Sequence, residues 1–235
     1  MRVLAIGDPH LSSSQPKPMD IFGPGWQGHP EAFFQGWREV VRQDDLVLVP
    51  GDISWALKLE DALPDLEALG ALPGHKVLLR GNHDYWWPSA SRLREVLPAG
   101  MQAVQNDAVR VGEFVIAGSR GWTCPGSRVF TDQDRKIYDR ELQRLRLSLD
   151  AARALGEGRL LVMLHFPPTN AAGDRSEVID LLGEYSPEAV VYGHVHGEAA
   201  DAQPAAPHGL PLHFVAADAL SFRPLLLPLA DSPRD

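Results

Sequence analysis

Short apolar runs closed by Gly, Pro or polar residues recur along the chain: Val3–Ile6, Leu46–Val49, Val77–Leu79, Leu160–Leu164 and Ala189–Tyr192. Runs this short, unalternating and rich in Val and Leu predict strands covered on both faces. Between them the period changes. Across Glu31–Gln43, the residues Phe33, Phe34, Trp37, Val40 and Val41 fall on one side of a 3.6-residue repeat and predict a helix. Across Asp134–Leu155, the residues Tyr138, Leu142, Leu145, Leu149 and Ala152 recur among Arg and Glu, predicting a long surface helix with one buried stripe. After Asp52 the pattern is less regular, and Pro64 is expected in the first turn of a helix ending near Leu69. Val109–Val111 and Phe114–Ala117 flank Gly112-Glu113 as a tight hairpin. Leu212–Ala216 and Arg223–Pro228 are late strands, expected to be antiparallel. Strand–helix alternation followed by hairpins predicts a mixed sheet, or two stacked sheets with helices outside. Ser12–Pro30, Ser119–Asp132 and Gly197–Gly209 are long and irregular, a kind of segment that is commonly functional. The first two are candidates for a substrate lid.

Composition changes this picture in three ways. The 235 residues, 44% hydrophobic, suit one domain over 1–230 with a frayed tail at 231–235. The single cysteine, Cys124, excludes an internal disulfide framework and a multi-cysteine zinc site. With 31 acidic against 22 basic residues, the net charge of −9 argues against an extended duplex nucleic-acid surface or an anionic membrane face. No apolar run approaches the roughly 20 residues that span a bilayer. The opening MRVLAIGDPH reads as a first strand, not a signal peptide, so a cytoplasmic location is expected.

The candidate chemistry lies immediately after the strands. Gly7-Asp8-Pro9-His10 follows the first, Pro50-Gly51-Asp52 the second and Arg80-Gly81-Asn82-His83-Asp84 the third. His165 follows the fourth, and Gly193-His194-Val195-His196 the fifth. In open α/β sheets ligands collect at the carboxyl ends of strands, so these groups are expected to converge. Carboxylates, imidazoles and one amide, without thiolate, suit divalent Mn, Fe or Zn. Seven such groups exceed one tetrahedral ion and match two open sites.

In family order, D-x-H, G-D, G-N-H-D, H and G-H-x-H resemble the calcineurin-like metallophosphoesterase family in its bacterial-type single-domain form, from Asp8 to His196. The resemblance implies a four-layer α/β/β/α sandwich of two stacked mixed sheets with helices outside. It also implies one ion held by Asp8, His10, Asp52 and His196. A second would be held by Asp52 as the bridge with Asn82, His165 and His194. His83 would be the catalytic imidazole, with Asp84 orienting it.

The expected activity is phosphoester hydrolysis with two divalent ions, Mn foremost and Fe or Zn as alternatives. Water activated between the ions would attack phosphorus in line. A small or nucleotide-like phosphodiester is favoured, with a phosphomonoester as the alternative and a non-catalytic scaffold as the reading from another class. Tyr85, Trp86, Arg120 and Arg175 are candidate substrate contacts, through stacking or bidentate phosphate binding. Their plainer roles are core packing for the aromatics and surface solvation for the arginines. Trp55 is weighed in the same way, and Lys17 and Asp20 are singled out by position. Cys124 is read as a loop cysteine, and His29, His75, His208 and His213 as structural.

Overall fold

In the computed structural model, which describes residues 1–14, 16–127, 130–197 and 207–230, the apolar runs form two five-stranded sheets. The expected tail at 231–235 lies outside the described residues. The first sheet holds β1 (Val3–Ala5), β2 (Leu46–Pro50), β3 (His75–Leu79) and β4 (Met101–Val104), parallel in that order. The last strand, β10 (Leu225–Leu226), returns to pair antiparallel with β1. The second sheet opens with the hairpin β5 (Ala108–Val111) and β6 (Phe114–Ser119), turning through Gly112 at φ 57°. It continues in parallel through β7 (Arg159–Leu164), β8 (Ala189–Tyr192) and β9 (Leu212–Phe214).

Alternation along each strand sets the layers. Leu4, Val47, Val49 and Leu78 point outward into a core shared with Phe33 and Trp37 of α1 (His29–Val40) and Leu66 of α2 (Leu59–Gly70). Ala5, Leu48, Val77 and Leu79 point inward and meet Phe114, Ile116, Met163 and Val191 of the second sheet. Val115, Val162 and Val190 then pack under α4 (Asp132–Ala154) and α5 (Glu177–Tyr185), against Tyr138, Leu149 and Leu182. Three apolar layers between four structural ones make the α/β/β/α sandwich. Each fully buried aliphatic side chain contributes about 1.5–3 kcal/mol, so both faces of every inner strand favour burial.

Some elements differ from expectation. α2 begins a turn early, with Pro64 inside it, because Leu59, Ala62, Leu66 and Leu69 form a continuous buried face. That face outweighs the one backbone hydrogen bond that proline removes. β9 runs parallel to β8, pairing Leu212 with Val190, and not antiparallel. The chain between them is long enough for a crossover. β4 and α3 (Ala90–Val96) had no sequence signal: the strand is interrupted by Gln102, and the helix buries only Leu93. Among the described residues no helix is long and apolar enough to cross a membrane.

Candidate metal centre

The loops after β1 and β2 are tied to each other. Asp8 N–H donates to the Gly51 carbonyl at 3.0 Å, and His10 N–H donates to the Asp52 carbonyl at 3.0 Å. Asp8, His10, Asp52 and His194 all have left-handed backbones, at φ 56°, 45°, 50° and 75°. Each such conformation costs about 1–3 kcal/mol and persists only where the surroundings impose it. Here the strain turns side chains from strand ends into one space. Glycines let the loops close in. A Cβ on Gly81 or Gly193 would come within 3.0 Å of the Asp52 or Asp8 carboxylate, respectively.

Two ligand groups result. Asp8, His10 and His196 bring one donor atom each within 4.8 Å of one another, and Asp52, His165 and His194 do the same. Asn82 Oδ1 joins the second group, 2.6 Å from His165 Nε2. Asp52 Oδ2 faces both, 3.8 Å from His10 Nε2 and 3.4 Å from His165 Nε2. In the first group, His10 Nε2 and His196 Nε2 face each other at 3.4 Å, and Asp8 Oδ1 lies 3.8 Å from His196 Nε2. All seven expected ligands therefore meet in one place. Each group draws side chains from both sheets.

The electrostatics fit divalent cations. Burial pushes Asp8 up to about 7 against the pull of His165 and His196. Burial would also raise Asp52, but His165 and His10 hold it far below the usual carboxylate range. His165 is raised to about 9: burial opposes its charge, and Asp52, Asp8 and the Pro50 carbonyl together outweigh the burial. Burial drives His10 and His194 down to about 3, leaving neutral rings with free lone pairs, as metal ligation requires. Among the described residues, His10 Nδ1 is buried without a hydrogen-bond partner. Orienting partners stand behind other rings: His165 Nδ1 is 3.0 Å from the Pro50 carbonyl, and His196 Nδ1 is 2.9 Å from Asp218 Oδ1. Asp218 had no sequence signal, since it lies in an unpatterned turn after β9. The bridge between Gly7 and Ala216 carries that turn to the centre.

His83 is half-buried beside this cluster. Its N–H donates to Asp52 Oδ1 at 2.8 Å, and its ring lies 4.5 Å from Trp55. Burial lowers its pKa, with Asp52 opposing. Trp55 also stacks on His10 at 4.8 Å, with Lys17 Nζ 3.3 Å above its ring, and Phe166 stacks on His194 at 3.8 Å.

The expectations for Asp84, Trp86 and Arg175 need correction. The Asp84 carboxylate accepts from the backbone N–H groups of Ile53, Ser54 and Gly81 and from the Trp86 indole, and no hydrogen bond joins it to the His83 ring. It knits the β2 and β3 loops together and does not orient the imidazole. Trp86 is 2% exposed, so it packs the core and offers no stacking face. Tyr85 is 58% exposed, edge-on to His83. Arg120 binds Glu141, and its guanidinium lies over Trp122. Arg175 pairs with exposed Asp180, and none of its described contacts is with a candidate ligand.

The family model for calcineurin-like phosphoesterases matches residues 1–198, and the chain belongs to this family of metal-dependent hydrolases. No curated protein sequence matches the chain. Phosphopantetheinyl hydrolase from Mycobacterium tuberculosis shares the fold at TM-score 0.54 and 14% identity, covering 99% of this chain and 98% of that one. A protein of unknown function from Aquifex aeolicus matches at TM-score 0.46 and 16% identity, covering 95% and 94%.

Proposed function

We propose that this chain is a cytoplasmic, single-domain phosphoesterase that works with two divalent ions, Mn first and Fe or Zn next, on a small or nucleotide-like phosphodiester. The observation carrying the reading is the position of Asp52 Oδ2, which faces both ligand groups. Asp8, His10, Asp52 and His196 would hold one ion, and Asp52, Asn82, His165 and His194 the other. When bound, the ions supply Lewis acidity toward a phosphoryl group and make water acidic near neutral pH.

The remaining chemistry belongs to the chain's own side chains. His83 donates a proton from a ring nitrogen to the leaving oxygen. Trp55 fixes the ring from one side, while the Asp52 contact fixes the backbone beneath it. Tyr85 offers an exposed face for a base or aryl group. A small diester is favoured by the aromatic residues beside His83 and by the compact, acidic chain; a proton donor serves the alkoxide leaving group of a diester and of an alkyl monoester alike. The acidic chain offers no broad basic face for duplex DNA.

The test pairs two variants. His83→Ala is expected to keep its metal, by elemental analysis, and to lose about 10²–10⁴-fold in kcat on an alkyl diester. Asp52→Ala is expected to lose metal as well as turnover. Near-normal kcat in His83→Ala would remove the imidazole from the mechanism. A monoester of the same alcohol run beside the diester decides between the two ester classes.

A further inference from the structure

Beside the candidate centre, a cavity of about 80 Å³ opens at the carboxyl ends of β3, β4 and β6, walled by Arg80, Arg120 and Arg144. Its volume is several times the ~10–15 Å³ that admits one water. Among the described residues that line it, one carboxylate stands with the three guanidinium groups, that of Glu141 from α4. Glu141 Oε1 accepts from Arg144 at 2.7 Å and from Arg120 at 3.1 Å, and Oε2 accepts from Ser119 Oγ at 2.9 Å. Its acceptor capacity is largely used.

The donors are not. Arg120 Nε is buried with no acceptor among the described residues. Arg80 gives its Nε to the Asp84 carbonyl at 3.2 Å, and its terminal nitrogens have no acceptor among the described residues. Gln105 Oε1 accepts from the Trp87 indole at 2.9 Å, leaving the amide N–H groups on the cavity wall available. Burial lowers the Arg120 pKa, Glu141 raises it, and the like charges of Arg80 and Arg144 lower it further. An acidic chain thus confines three cations and one anion around a walled space lined with donors. The cavity is coupled to the centre through the backbone. Arg80 is two residues before Asn82, and the Arg120 carbonyl accepts the N–H groups of His165 and Phe166 at 3.1 and 2.9 Å.

We propose that this cavity is an oxyanion subsite, in which Arg80, Arg120 and Arg144 bind a second phosphate or carboxylate carried by the substrate away from the scissile phosphoester. Forked guanidinium groups match such oxyanions in geometry as well as charge. The substrate role rests on the phosphoesterase reading; the binding of an oxyanion does not. The substrate class narrows accordingly, from phosphodiesters in general to those bearing an additional anionic group.

The probe is inorganic sulfate, titrated at constant ionic strength into the full chain with and without chelator and followed by calorimetry. Saturable binding is expected in both conditions. Arg80→Gln and Arg144→Gln should weaken it at least about tenfold, the loss expected for one charge-assisted contact. The remote surface variant Arg146→Gln should bind as wild type does. Absence of saturable binding, or wild-type affinity in both cavity variants while their melts match wild type, would overturn the subsite. A second arm compares kcat/KM for an aryl nucleotide diester with and without a further phosphate. The preference for the extra phosphate should collapse in Arg144→Gln. If wild type turns over neither ester, the phosphoesterase reading fails while the sulfate titration still decides the subsite.

Discussion

At the scale of single residues, the centre depends on backbone that most side chains avoid. Four candidate ligands sit in the left-handed region, and two glycines lie where no side chain fits beside the carboxylates. Gly193→Ala is therefore expected to push the Asp8 carboxylate out of place. Metal content and turnover should fall together by at least tenfold, and the thermal midpoint should fall toward that of the chelated wild type. A variant with full metal content and activity would show that the Gly193 loop yields freely. Residue identity was legible wherever a ligand followed an apolar run, because strand ends advertise themselves through the Gly and Pro that close them. Roles were less legible. Asp84 stood beside His83 in sequence, yet three backbone N–H groups and an indole compete for its oxygens and win. Asp218 reaches His196 only through tertiary pairing, which no local pattern records.

At the scale of elements, strands buried on both faces were the easiest to read, and those with weak or broken patterns, β4 and α3, the hardest. Direction was lost where a long connection separates neighbours, as with β9. One element carries a charge that sequence reading would place at the surface. Lys76, the second residue of β3, is 2% exposed, and its ammonium donates to the Gly70 and Leu72 carbonyls at the end of α2. That helix end carries partial negative charge and favours a cation. Burial still lowers the lysine pKa to about 8. Below pH 8 both folded and unfolded chains hold the proton. Between pH 8 and the ordinary value of about 10.4 only the unfolded chain holds it, so stability from this group rises with pH. Urea unfolding of wild type and Lys76→Met should show wild type gaining relative to the variant across that window. The raised tyrosines Tyr138 and Tyr192 act equally in both proteins and cancel. A flat difference would mean that Lys76 titrates normally.

At the scale of the whole molecule, the two ligand groups bind the sheets to each other. Asp8, His10, Asp52 and Asn82 come from the first sheet, and His165, His194 and His196 from the second. Withdrawing ions should loosen the joint as well as stop turnover. Chelator is expected to lower the thermal midpoint, and Mn²⁺ at 100 times its Kd to restore about 2.7 kcal/mol. Asp52→Ala should show no such recovery, and equal recovery there would mean that the ion binds elsewhere. The overall architecture was legible because the order of motifs follows the order of strands. The closing strand was legible only as a strand, since its partner lies more than 200 residues earlier in the chain. That pairing sets a schedule for synthesis. Leu226 pairs with Leu4, so the outer edge of β1 stays open after every candidate ligand through His196 has been made. At about 5–20 residues per second the interval lasts a few seconds. During it the nascent first sheet presents unpaired backbone to any neighbouring strand, and the final turn of chain acts as the cover that ends this exposure.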